Sequence, residues 1–353
     1  MKILEQKRQG SHGNGSGTNL ESSASPCVPR TSDSEAAFAT SLVPSSPSPY
    51  ASRHTPDVSR PVHCLTFDIE EHFQVSAFDS PMRRRHWDHF ESRVERNTEK
   101  LLDLLTVHGV RATFFVLGWV AERHPQLVRQ IAVKGHEVAS HGYAHELITG
   151  QTVTQFRDDV RKSKRILEDL LGQPVLGYRA PSFTITADTM WALQVLVEEG
   201  YVYDSSVFPI SGFLHDRYGI PGANPFLHQL ATDAGPIWEL PLSTARVGGL
   251  SLPTAGGAYL RLYPYWVLRH LLRSVENCGQ PLVLYLHSWE LDPHQPRMRG
   301  PLRSRFRHYV NLKKTEERLV QLLNDLQFGP IREVIDPVAS ARARQGLGVG
   351  VTC

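Results

Sequence analysis

Three carboxylates and a histidine stand together in Asp68-Ile69-Glu70-Glu71-His72, directly after the apolar run Val62 to Phe67. Residues two apart on an extended chain share a face, so Asp68 and Glu70 can point into one site. One of them could bind a cation while the other handles a proton. Two histidines four apart, His141 and His145, form a second constellation. On a helix that spacing puts both imidazoles on one face, close enough to share a divalent ion. Arg179 follows a third apolar stretch, where a guanidinium can hold a carboxylate ionised and oriented. Asp204 closes Tyr201-Val202-Tyr203 and could support a neighbouring charge. His287 leaves the run Leu282 to Leu286, well placed for a general acid.

Each of these groups sits just past a short apolar run, and the runs alternate with amphipathic segments. Strands are expected at Val62–Phe67, Ala112–Val116, Glu137–Ser140, Val175–Tyr178, Tyr201–Tyr203, Ile237–Leu240 and Leu282–Leu286, with a closing strand at Ile331–Val334. Helices are expected at Val94–His108, His124–Lys134, Thr154–Leu171, Thr186–Glu199, Tyr263–Asn277 and Leu312–Leu326, several stopped by glycine. Strand-then-helix repetition implies an α/β fold with parallel strands and outer helices. No glycine-rich phosphate turn marks a dinucleotide fold, so a closed or partly closed barrel is the better expectation. Barrels of this kind put their active sites at the carboxyl ends of the strands, where these side chains stand.

The chain has 353 residues, 41% hydrophobic and 21% charged, with a net charge of +2. That describes an ordinary globular domain, with no general reason to expect nucleic acid or an acidic membrane as partner. Its cysteines, Cys27, Cys64, Cys278 and Cys353, lie far apart, which indicates neither a disulfide framework nor a thiolate metal site. Residues 1–58 are rich in Ser, Gly, Pro and Thr and are expected to be a disordered tail; residues 339–353 are expected to be a flexible end. The longest apolar run, near Ala112 to Ala121, is too short for a transmembrane span. Lys2 is followed by no apolar segment, so no secretory signal is visible and a cytoplasmic location is expected.

Taken in order, LTFDIEEHFQV, GHEVASHGYAHELI, GYRAPSFTIT, GYVYDSSVFP, GGAYLRLYP and LYLHSWELDPHQPR resemble the polysaccharide deacetylase (NodB-homology, carbohydrate esterase family 4) superfamily. The closer resemblance is to the subfamily found with bacterial exopolysaccharide and PEP-CTERM/exosortase loci. It covers about residues 62–336, within a domain expected at 59–338 whose C-terminal part, about 205–336, is subfamily-specific. The resemblance implies a distorted (β/α)7-type barrel and a divalent metal, usually zinc, held by one carboxylate and two histidines. Carried onto this chain, it makes Asp68 the catalytic base, His141 and His145 the metal histidines, Arg179 the tether of the base and His287 the catalytic acid. Asp204 matches only loosely the aspartate that orients the acid.

The first motif departs from the family pattern: Ile69 stands where a second adjacent aspartate is common. Glu70 then becomes the expected third ligand, with Glu71 and His72 as alternatives. Ser182 stands where many members have tyrosine, so only its backbone N–H could serve an oxyanion. The implied reaction is hydrolysis of N-acetyl groups on an amino-sugar polymer or oligosaccharide in exopolysaccharide biosynthesis, with Trp87, Phe183, Tyr259 and Trp289 available to stack on sugar rings. Two alternatives remain: an amidohydrolase for a small linear or cyclic amide, and a catalytically degenerate carbohydrate-binding barrel.

Overall fold

The computed structural model describes residues 62–210 and 219–336. The expected tails at 1–58 and 339–353, and part of the loop expected over Phe208–Asn224, lie outside the described residues.

Eleven strands run in chain order: β1 (His63–Ile69), β2 (Thr113–Val116), β3 (Glu137–Ser140), β4 (Gly177–Tyr178), β5 (Tyr203–Asp204), β6 (His228–Thr232), β7 (Gly235–Glu239), β8 (Thr244–Val247), β9 (Leu250–Pro253), β10 (Val283–His287) and β11 (Phe328–Gly329). The main sheet has the order β10-β1-β2-β3-β4-β5-β7-β6, with β11 also paired to β1. Every pair in it is parallel except β6 with β7. The seven strands from β10 through β7 curl into a ring. Ser243, just beyond β7, spans the gap: its N–H donates to Val283 O at 3.2 Å, and Val283 N–H donates to Ser243 Oγ at 2.8 Å. The barrel expectation is therefore met in distorted form, closed by one serine rather than a full ladder.

Helices cover the outside: α1 (Val94–Val107), α2 (Gly118–Arg123), α3 (Pro125–Val133), α4 (Val153–Leu171), α5 (Trp191–Glu198), α6 (Gly257–Leu262), α7 (Tyr265–Glu276), α8 (Leu302–Tyr309) and α9 (Thr315–Asp325). In α1, Leu101, Leu102 and Leu105 are buried, as their spacing requires. Thr152 caps α4 in a reciprocal box with Gln155, and Gly172 ends it at φ +64°. The strands are buried along most of their length because helices cover them, which is why they appear as unbroken apolar runs.

Four expectations are corrected. Ile331–Val334 is helical, and the closing strand is Phe328–Gly329. The apolar residues after Pro330 face the core as a helix rather than as a ladder. Gly118–Arg123 forms its own helix ahead of Pro125, hidden in sequence by its continuity with the apolar strand before it. The segment expected to be turn-rich from Leu240 through Gly256-Gly257 holds an antiparallel pair, β8–β9, and β6, for which no strand was expected, pairs antiparallel with β7. His141–His145 is not helical, as described below.

Candidate active site

Strand register puts the chemistry in one layer. Asp68 lies level with His287 and with Phe115, and Tyr178 lies level with Ser140 and Asp204. Thr66, Asp68 and Glu70 share one face of β1, as period-two geometry demands.

Arg179 is wholly buried, at 0% exposure. Its NH1 donates to Asp68 Oδ1 at 2.9 Å and to Thr66 Oγ1 at 2.7 Å, its Nε to Ser205 O at 3.0 Å and its NH2 to Ser205 Oγ at 2.9 Å. A buried cation is tolerated only when so satisfied. The pair fixes Asp68 and leaves Oδ2 facing His287 Nε2 at 3.8 Å.

His141 and His145 reach one point from a loop after β3, not from a helix face. Gly142 takes φ +72° and His145 φ +52°, and this turn folds the two imidazoles to 5.2 Å between ring centres. His141 Nδ1–H donates to Arg179 O at 2.8 Å, which fixes the tautomer and aims the Nε2 lone pair into the hollow. Burial, joined by the neighbouring His145 imidazole, holds the His141 pKa down to about 4 against the opposing charges of Asp68 and Glu70, so the ring is neutral, the form that can ligate a cation.

Among the three alternatives for the third ligand, Glu70 faces the histidines. The ligand atoms of Glu70, His141 and His145 lie within 4.8 Å of one another, all buried. Glu71 turns away to the start of α1, accepting from Ser92 Oγ at 2.5 Å, Arg93 N–H at 3.0 Å and Val94 N–H at 3.3 Å. A carboxylate there satisfies the orphan amides at the positive end of the helix. His72 sits against Phe73, with Nδ1 3.8 Å from Glu71.

The cluster fits a metal. Glu70 Oε2 is 2.8 Å from His145 Nε2, yet it accepts no properly directed hydrogen bond. Its other oxygen accepts from Trp289 Nε1 at 3.1 Å. A buried carboxylate oxygen and two imidazole nitrogens aimed at a common point, rather than at each other, are what a tetrahedral cation with an open position requires. Burial raises the Glu70 carboxyl, and the imidazoles of His145, His287 and His141 outweigh it, leaving the group below the usual range.

His287 stands across the hollow, Nε2 3.6 Å from Glu70 Oε1. Its Nδ1 pairs with Glu290 Oε1 at 2.9 Å, and Arg261 NH2 lies 3.0 Å from Glu290 Oε2. Burial works to lower the His287 pKa; the Glu290 hydrogen bond and the charges of Glu70, Glu290 and Asp68 overcome it and raise it to about 9. The ring is stacked on Trp289, which is stacked in turn on His308. Gly257 makes room for this arrangement: a Cβ there would lie 2.0 Å from Glu290 Oε2.

Asp204 does not touch His287, and the place beside the acid belongs to Glu290. Asp204 accepts from Ser206 N–H at 3.1 Å and Ser206 Oγ at 2.6 Å, and Ser206 Oγ accepts from Ala180 N–H at 2.7 Å. It therefore shapes the strand tip that cradles Arg179, one step from the hollow. Burial beside Asp204 drives the Glu239 carboxyl well above its ordinary range. Glu290 and Arg261 had no role in the sequence reading. The signal available was the i, i+3 spacing of His287 and Glu290, which lets the side chain reach back to the ring.

A hollow of about 140 Å³ opens above these groups. Phe183, Tyr259 and Trp289 line it, while Trp87 lies elsewhere, packed on Phe73 and Trp119. Ser182 and Phe183 both take positive φ, 52° and 55°, beside the hollow. With His145 they are three of the four non-glycine residues in that region among the described residues; Asn311 is the other. Such strain costs free energy and persists where surrounding structure enforces it, commonly at active sites. Ser182 Oγ donates to Ser76 Oγ at 2.8 Å, and Ser76 Oγ lies 3.5 Å from His145 Nδ1.

Residues 57–203 match the family model described as polysaccharide deacetylase, and residues 205–336 match one described as a domain of unknown function. A peptidoglycan-N-acetylglucosamine deacetylase of Bacillus cereus is 36% identical over 98 residues, 28% of this chain and 36% of that protein. A chitooligosaccharide deacetylase of a Bradyrhizobium species is 34% identical over 94 residues, 26% of this chain and 43% of that protein. In both, the match spans less than half of the relative's length. The solved structure of a candidate polysaccharide deacetylase from Mycobacterium smegmatis is 22% identical, covers 82% of this chain and 92% of that chain, and superposes with a TM-score of 0.49.

Proposed function

Because residues 57–203 belong to the polysaccharide deacetylase family, we propose that the chain hydrolyses N-acetyl groups from amino sugars of a polysaccharide, in bacterial exopolysaccharide biosynthesis. The observation that carries this is the convergence of Asp68, Glu70, His141, His145 and His287 on one hollow.

Glu70, His141 and His145 would hold a divalent cation, zinc by ligand type. Bound there, it would polarise the acetyl carbonyl and acidify the attacking water. Asp68, held in place by Arg179, removes a proton from that water as it adds to the carbonyl carbon. A backbone N–H near Ser182 stabilises the resulting oxyanion. His287, steadied by Glu290, delivers a proton to the amide nitrogen as the C–N bond breaks. Acetate and the free amino sugar leave, and the atoms of one water are accounted for. Tyr259 and Phe183 line the hollow where a sugar ring could rest.

The test is acetate release from chito-oligosaccharides and from small amides, before and after chelation, with metal content measured on the purified chain. Chelation is expected to abolish oligosaccharide deacetylation with folding retained. Activity confined to small amides would place the chain among amidohydrolases. A metal-free protein that binds glycans without releasing acetate would make it a carbohydrate-binding barrel.

A further inference from the structure

Arginines crowd one surface beside the hollow, although the whole chain carries a net charge of only +2. Arg83, Arg84 and Arg85 follow Met82, and Arg297, Arg299, Arg303, Arg305 and Arg307 come from the segment that leads into α8 and from α8 itself. The two segments touch, since Arg83 NH2 donates to Arg299 O at 3.3 Å. Arg297, Arg305 and Arg83 all act electrostatically on the Tyr309 hydroxyl, and the Arg297 guanidinium lies 4.2 Å over the Tyr309 ring. Asp79 and Glu146 engage Arg84.

Large apolar side chains stand among these cations. Leu302 is 80% exposed, Met82 74% and Phe306 62%. Leu302 and Phe306 are four apart on α8 and so form one stripe, with Arg303 and Arg305 between them along the helix. The opposite side of α8 packs inward through buried His308, while Ser304 and Arg307 line the hollow. A basic helix with an exposed apolar stripe is the design of an interfacial helix.

We propose that this face docks on an anionic lipid bilayer, with Leu302, Phe306 and Met82 entering the headgroup boundary and the arginines pairing with lipid phosphates. Charge complementarity selects an anionic surface, and the apolar stripe selects a lipid over a hydrophilic polyanion, which would gain nothing from those side chains. No described helix is long and apolar enough to cross a membrane, so attachment is peripheral. The hollow then opens beside the bilayer, where a membrane-held glycan would be presented.

The experiment is co-sedimentation of the full chain with vesicles of phosphatidylglycerol and phosphatidylcholine, against phosphatidylcholine alone, together with light scattering for oligomeric state. Binding is expected on the anionic vesicles only and should weaken with salt. The double variant R299E/R305E changes the charge of this face by four units and should bind on the order of a thousandfold more weakly, from about 1 kcal/mol per charge at such a surface. L302S/F306S should lose on the order of tenfold. Both should keep the parent melting temperature and deacetylation of a soluble oligosaccharide. Three results overturn the proposal: no binding to anionic vesicles; retention by soluble dextran sulfate equal to that by vesicles and unmoved by L302S/F306S, which would assign the patch to a polyanionic glycan; or loss of a dimer in L302S/F306S with vesicle binding intact, which would assign it to a second copy of the chain.

Discussion

The barrel carries histidines and acids at both ends of its strands, and the two ends treat them differently. At the amino ends, His63 Nδ1 accepts Leu282 N–H at 3.1 Å while Nε2 meets Glu276 at 3.1 Å. His136 Nδ1 accepts Ala112 N–H at 3.2 Å. Glu137 accepts from Thr113 Oγ1, Tyr203 OH and Arg332 N–H. No buried polar atom of these three residues lacks a partner. At the carboxyl ends, Glu70 Oε2 lacks a directed hydrogen bond, Glu290 Oε2 is held only by its ion pair with Arg261, and the imidazoles line a hollow. Buried polarity that is fully satisfied holds strands together. Buried polarity left convergent and unsatisfied is held ready for something else.

The largest expected effect separates the two ends outright. His141→Ala or Asp68→Asn should cut acetate release by roughly 10³-fold or more, while the melting temperature of His141→Ala stays close to the parent. A His141→Ala protein with full activity would erase the distinction. Next, Glu290→Gln should lower kcat by about 10–100-fold, with KM little changed, as loss of an orienting partner does. An unchanged kcat would show that the His287–Glu290 contact does not orient the acid.

At the other end the signs reverse. Glu137→Leu strands two buried donors, Thr113 Oγ1 and Tyr203 OH, and a half-buried one, Arg332 N–H, and should cost roughly 3 kcal/mol in denaturant unfolding, with activity per folded molecule preserved. The smallest effect is in pH. Burial, then the nearby Lys134 and Arg111 charges, push the His136 pKa down to about 4. The ring stays neutral in the fold while the unfolded chain takes up a proton near 6.5. Stability is therefore intact above about pH 6.5 and falls as pH drops toward 4, by at most about 3 kcal/mol from this group. Urea titrations at pH 7 and pH 5 measure it, and His136→Gln should flatten the difference.

The order of the motifs was legible because each strand is a short apolar run and each functional group interrupts it. Asp68, Arg179 and His287 stand where the runs end, so register alone brings them together. The choice among Glu70, Glu71 and His72 was not legible. It depends on Glu71 being drawn to the amides of α1, a contact 22 residues away in sequence. Spacing misled at His141 and His145: four residues can share a face through a left-handed turn as well as through a helix. Asp204 is not the partner of His287; Glu290 is, and its i, i+3 spacing was a signal in the sequence that only the turn after β10 makes decisive, by bringing the carboxylate back to the ring.

By itself the sequence determined the alternation of strand and helix, the carboxyl-end location of the acids and imidazoles, and the meeting there of Asp68, His141, His145, Arg179 and His287. These follow from local burial and period, which neighbouring residues encode. Tertiary structure alone decided which carboxylate faces the imidazoles, that Arg261 and Glu290 from residues 205–336 complete the acid, and how Ser243 closes the ring. Those outcomes depend on packing between segments far apart in the chain, where direction and distance carry the information that composition does not.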